Sequence, residues 1–129
     1  MLKTEKIVNK VIEALEDNKA HKIVKIDLRK IENCFCSFFV ICHGTSGTHI
    51  AGLADTVEEK VREELNEKPF HIEGLNTARW VVLDYGDVVV HIFDKELRDY
   101  YQLEDFWADA QTTEIADLTE EVFQETGQQ

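Results

Sequence analysis

A chain of 129 residues, 43% hydrophobic and 31% charged, suits a single domain with its own core and excludes a disordered or disulfide-stapled scaffold. Its formal net charge of −12 disfavours direct binding to a nucleic acid, because counterion release works against so acidic a surface. No apolar run approaches the roughly 18 residues of a membrane span, and the opening Met1-Leu-Lys-Thr-Glu-Lys runs straight into an acid-containing amphipathic stretch, unlike a targeting peptide, so a cytoplasmic protein with no membrane partner is expected.

Thr4 to about Lys19 is predicted helical, with Ile7, Val8, Val11, Ile12 and Leu15 on one stripe and Thr4 as N-cap. His21 to Leu28 alternates like a half-buried strand, and Ser37 to Cys42 is a continuous apolar run of the kind buried on both faces. His43-Gly-Thr-Ser-Gly-Thr48 breaks that strand and opens a long helix carrying Ile50, Leu53, Val57, Val61 and Leu65, which Ser46 or Thr48 can cap. Pro69 ends this segment, and Phe70 to Leu75 is a short extended piece. Asp94 caps a further helix that is expected to continue through Leu103, Phe106 and Trp107. From Gln111 an acidic C-terminal tail, residues 111–129, places Ile115, Leu118, Val122 and Phe123 at helical spacing, as a short surface helix or a mobile end. The order of elements fits an α/β fold, a mixed β-sheet with flanking helices, within a domain of residues 1–110.

Trp80 to Phe93 is the most strand-like stretch, broken only by Asp84-Tyr85-Gly86-Asp87, and Gly86 supplies the positive φ of a hairpin turn. With Tyr85-Gly86 as the loop, Asp84 would pair with Asp87, Leu83 with Val88 and Trp80 with His91. One face then carries Val81, Leu83, Val88, Val90 and Ile92 as core. The other carries Trp80, Val82, Asp84, Asp87, Val89, His91 and Phe93, and is either covered by a helix or a docking surface.

Three groups could carry chemistry. Gly44-Thr-Ser-Gly47, between a strand and a helix, could hold a phosphate on backbone N–H groups, but it lacks the lysine of a P-loop. A glycine-serine turn of this kind also serves nucleotidyltransferases, which need two acids on a following strand for divalent metal, and no such pair follows here. Cys34, Cys36, Cys42 and His43 are ligand types for zinc, yet their spacing matches no common zinc module, which favours buried thiols in a reducing compartment. Tyr100, Tyr101, Phe106 and Trp107 are expected to pack partly on the sheet, but two adjacent tyrosines cannot both be buried on one helix face, so one should reach the surface. No cofactor and no metal are therefore expected.

The stretch Cys36-Ser-Phe-Phe-Val-Ile-Cys-His-Gly-Thr-Ser46 with His49, then Glu73-Gly74, the hairpin Trp80 to Phe93, and Glu96, Arg98, Tyr100-Tyr101-Gln-Leu-Glu104, Trp107 and Asp109, closely resemble the ribosomal silencing factor family, also called Iojap-like. The likeness runs from about Leu2 to Ala110. It departs at Gly47-Thr48, where the family often has a charged pair. The resemblance implies a nucleotidyltransferase-like fold without catalytic acids, and a protein that is not an enzyme. It implies binding to protein fourteen of the large ribosomal subunit, a block on joining of the small and large subunits, translation repression under nutrient limitation, and a homodimer. An acidic chain suits a basic ribosomal-protein partner, and an apolar centre with a charged rim is common interface anatomy. The expected contact set is Trp80, Asp84, Tyr85, Asp87, Val89, His91, Tyr100 and Tyr101, with the Asp84–Asp87 turn as its chief contact. A nucleotidyltransferase-like enzyme and a generic dimerisation module remain the alternatives.

Overall fold

Six strands form one mixed sheet in a computed structural model that describes residues 3–31, 34, 36–107 and 110–115. In chain order the elements are α1 (Lys3–Asp17), β1 (His21–Asp27), β2 (Phe38–Gly44), α2 (Gly47–Leu65), β3 (His71–Glu73), β4 (Trp80–Asp84), β5 (Val88–Asp94), α3 (Lys95–Tyr101), a 3-10 turn (Leu103–Trp107) and β6 (Gln111–Glu114). The sheet order is β3-β4-β5-β2-β1-β6. β2 and β5 run parallel at its centre, and the flanking pairs are antiparallel. None of the helices among the described residues is long and apolar enough to cross a membrane.

The two faces are covered very differently. On one face α1 and α2 bury Val11, Leu15, Leu53 and Val57 against Val40, Val81, Leu83 and Ile92. On the other, Ile26, Phe39, Ile41 and Phe93 are met by Leu97 of α3, Leu103 of the 3-10 turn and the connection at Cys36. β2 has apolar neighbours on both sides, as its unbroken apolar run requires, and only His43 of its seven residues is less than fully buried.

Local chemistry sets the boundaries. Thr4 does not cap α1: it lies inside the helix, and its hydroxyl donates to Asp87 Oδ2 at 3.3 Å. β2 continues through His43 and Gly44 because the ladder to β5 extends to the Gly44–Asp94 pair. Ser46 then caps α2, accepting from the His49 N–H at 3.1 Å, and left-handed Asn66 ends it. Asp94 caps α3, accepting from Leu97 N–H at 2.7 Å. α3 does not run on through Phe106, because Gln102 turns left-handed (φ 47°) and a 3-10 turn follows.

The hairpin register differs from expectation by two residues: Trp80 faces Phe93, Val82 faces His91 and Asp84 faces Val89. The turn is longer because its polar groups bond within it and to the β2 entry. The Gly86 N–H bonds Asp84 Oδ1 at 2.7 Å, and the Asp87 carbonyl accepts from Ser37 and Phe38 of the β2 entry. A shift of two preserves the alternation, so the sorting of strand residues between faces holds. The segment from Gln111 opens as a strand rather than a helix or mobile end, pairing with β1, and Ile115 N–H bonds the Ile23 carbonyl at 2.8 Å. Asp109, Leu118, Val122 and Phe123, and the side chains of Phe106 and Trp107, lie outside the described residues.

Candidate functional site

A run of aromatic rings climbs from the core to solvent on the sparsely covered face. Phe93 is fully buried and stacks on Trp80 at 4.8 Å between centroids. Trp80, half-buried, meets Tyr101 at 5.1 Å, and Tyr101 meets Tyr100 edge-on at 5.1 Å. Tyr101 is 44% exposed and Tyr100 78%, so the outer half of this stair is open apolar surface with two hydroxyls. Amphipathic rings held rigid at low entropic cost are the groups that dominate interface energetics.

Trp80 and Tyr101 are fixed from beneath. Gly74 (φ 89°) lets the β3–β4 connection fold back against Trp80: a Cβ there would lie 2.0 Å from the Trp80 carbonyl oxygen. The indole N–H of Trp80 donates to His91 Nδ1 at 3.1 Å. That bond requires a lone pair on Nδ1, so His91 is neutral, and burial pulls its pKa down to about 4. Asp94 joins the two sides of the stair, accepting from Arg79 Nε at 2.6 Å and from the Leu97 N–H of α3. Leu97 and Tyr101 are four residues apart and share the helix face that turns to the sheet.

The structure brings together only part of the expected contact set. Trp80, Tyr100 and Tyr101 form one patch, with half-buried Val82 beside it and exposed Glu73 across from Val82 on β3. Val89 and His91 lie on the same face but are buried, 8% and 7% exposed, with His91 edge-on to the Phe39 ring. Tyr85 turns the other way and is buried in the helix-covered core, its hydroxyl without a partner among the described residues and its pKa raised by burial. Asp84 stands four residues along β4 from Trp80, about 13 Å at strand spacing, and its carboxylate closes the turn. Asp87 is exposed but reaches α1 through Thr4. The turn therefore stands apart from the aromatic patch. The i,i+4 relation of Leu97 and Tyr101 was the sequence signal that Tyr101, rather than Tyr100, faces the sheet.

The other candidate groups serve packing. Cys42 is fully buried, and burial pushes its thiol up to about 12; Cys36 is pushed equally far by burial and by neighbouring Cys34, so neither is an activated thiolate nucleophile. Cys42 and His43 point to opposite faces, Cys42 into the helix-covered core and His43 toward Arg98. Gly44 makes room for α2: a Cβ would meet Ile50 Cγ1 at 2.9 Å. A crevice of about 800 Å³ opens beside Gly44 and Thr45, but Asp94, Glu96 and Asp99 balance Lys22, Lys95 and Arg98 along it. Among the described residues no cluster of three or more His, Cys, Asp or Glu has metal-holding geometry.

Comparison with known proteins adds a history to this geometry. A family described as ribosomal silencing factor during starvation matches residues 2–129. The ribosomal silencing factor of Halalkalibacterium halodurans is 37% identical over 114 residues, 88% of this chain and 96% of that protein. A crystal structure of a protein from Chromobacterium violaceum superposes with a TM-score of 0.77 at 33% identity, covering 82% of this chain and 87% of its own. A mouse protein named mitochondrial assembly of ribosomal large subunit protein 1 is 27% identical over 84% of this chain and half of its own length.

Proposed function

The chain belongs to the ribosomal silencing factor family, and on that premise we propose that it acts by binding rather than catalysis, docking through its aromatic stair on protein fourteen of the large ribosomal subunit and so preventing the small subunit from joining. In this reading translation falls when nutrients are scarce, and the protein works in the cytoplasm and self-associates as a homodimer. The observation that carries it is the exposed, pre-ordered patch of Trp80, Tyr101 and Tyr100 on the face that α3 covers only in part. Rings already stacked on a rigid sheet lose little freedom on binding. Exposed Glu73 beside the patch, in a chain of net charge −12, suits a basic ribosomal protein. The mouse relative's name points to the large subunit.

Sedimentation of purified subunits tests the proposal. The protein should travel with the large subunit and reduce the yield of joined ribosomes. A Tyr100→Ala, Tyr101→Ala variant should bind at least ten-fold more weakly, since truncating interface anchors costs about 2 kcal/mol or more. Undiminished binding by a folded double variant would move the contact elsewhere. Sedimentation equilibrium of the free protein reads the homodimer, and a monomer at micromolar concentration would remove it.

A further inference from the structure

Arg98 is a buried cation in a segment that otherwise meets solvent. It is 8% exposed, and all three guanidinium nitrogens are engaged. Nε and Nη2 both reach Glu104 Oε1, at 2.7 and 2.5 Å. Nη1 reaches His43 Nδ1 on β2 at 2.9 Å and the His21 carbonyl on β1 at 3.4 Å. The Arg98 carbonyl also accepts the N–H of Gln102, the left-handed residue that ends α3. One side chain thus ties the 3-10 turn to the ends of two strands, and the backbone atoms of the same residue close the helix.

The residue so clamped is Tyr101. It lies between Arg98 and Glu104, and its ring rests on Trp80 at 5.1 Å. α3 has only seven residues, too short to hold a helical geometry by itself. Leu97 is the one side chain of α3 within the apolar cluster on this face, and Tyr101 rests on Trp80 at the far end of the helix, so apolar packing holds α3 at few points. His43 fits the arrangement: its Nδ1 must offer a lone pair to Arg98, and burial together with the nearby guanidinium keeps it neutral.

We propose that Arg98, held by Glu104, His43 and the His21 carbonyl, is the positioning residue of the docking face, setting the angle at which Tyr101 and Tyr100 are presented without itself touching the partner. The assignment rests on the docking reading for its functional consequence, though not for its geometry. Lysine cannot replace it, because an ammonium reaching Glu104 has no planar fork to span His43 and His21 as well.

The experiment uses the full chain carrying Trp107→Phe, so that Trp80 is the only indole. Near-ultraviolet circular dichroism then reports the fixed stacking of Trp80 on Tyr101, and large-subunit affinity is measured in parallel. Arg98→Lys and Glu104→Ala should each lose the Trp80 band to the extent that Tyr101→Ala does, and each should weaken binding about ten-fold. Combining Arg98→Lys with Tyr101→Ala should weaken binding little beyond either single change, because both remove one arrangement. A residue that merely stabilised the fold would lower the unfolding midpoint and leave the band of the folded protein unmoved. An unmoved band in both folded variants overturns the positioning role, whatever the ribosome does. A lost band with binding indifferent to Tyr101→Ala itself supports the clamp and overturns the docking reading instead.

Discussion

The two faces of the sheet are built from similar strand residues and end in opposite states. One lies under α1 and α2, elements of 15 and 19 residues whose apolar stripes match it strand for strand. The other lies under a seven-residue helix, a 3-10 turn and a connecting segment, which seal β1, β2 and β5 but leave the β4 side open at Trp80 and Val82. Strand composition alone therefore does not mark a surface as core or interface; in this fold the length of the helices laid over each face does. The parallel neighbours β2 and β5 show this directly, since the first is followed by α2 on one face and the second by α3 on the other.

Truncation on the sealed face should break stability and spare binding. Leu53→Ala removes a fully buried side chain between α2 and the sheet and should cost about 3–4 kcal/mol in urea denaturation. The fraction still folded should bind the large subunit as before. Loss of affinity beyond the loss of folded protein would show that the two faces are mechanically coupled.

Acid should weaken the other face next most strongly. His91 has a folded pKa of about 4 against an ordinary 6.5, through burial. Between those values the unfolded chain takes up a proton that the folded chain refuses, so stability rises with pH across this window and falls as pH drops through it. Full titration amounts to of order 3 kcal/mol by the 1.36 kcal/mol per unit relation. His43, lowered for the same reason and by Arg98, acts in the same direction but is less deeply buried and contributes less. Urea midpoints should therefore fall between pH 7 and pH 4.5, and His91→Phe should flatten much of that slope. An unchanged slope would place the pH dependence elsewhere.

The sequence made some of this visible and concealed the rest for physical reasons. β2 was legible because a strand buried on both sides has to be apolar at every position, and the sorting of the hairpin faces was legible because alternation survives a slip of two. The register was not, because Asp84 and Asp87 spend their hydrogen bonds within the turn and on the β2 entry, which no pattern of hydrophobicity reports. Trp80, Tyr100 and Tyr101 emerged as one patch, whereas Tyr85, Val89 and His91 proved buried; aromatic and β-branched types look alike in a core and at an interface. Arg98 showed only as part of a family likeness, since its partners lie 55 and 77 residues away in the chain.

The turn offers the finer division. Asp84→Ala removes the carboxylate that accepts from Gly86 N–H at 2.7 Å and should cost about 1 kcal/mol, the worth of one such local bond, with large-subunit affinity held. Asp87→Asn should do still less. Its carboxylate is exposed and, among the described residues, receives the Thr4 hydroxyl at 3.3 Å, while its structural work is done by the backbone carbonyl that accepts from Ser37 and Phe38, which asparagine keeps. The urea midpoint and the affinity for the large subunit should both stay within error, a change under about 0.5 kcal/mol. Because Asp87 leans toward α1 and away from Trp80, a ten-fold loss of affinity in this variant would extend the contact around the hairpin tip to the helix-covered side. The open face would then be one part of a surface that wraps the edge of the sheet, and the separation between a sealed face and a docking face would fail at its most exposed point.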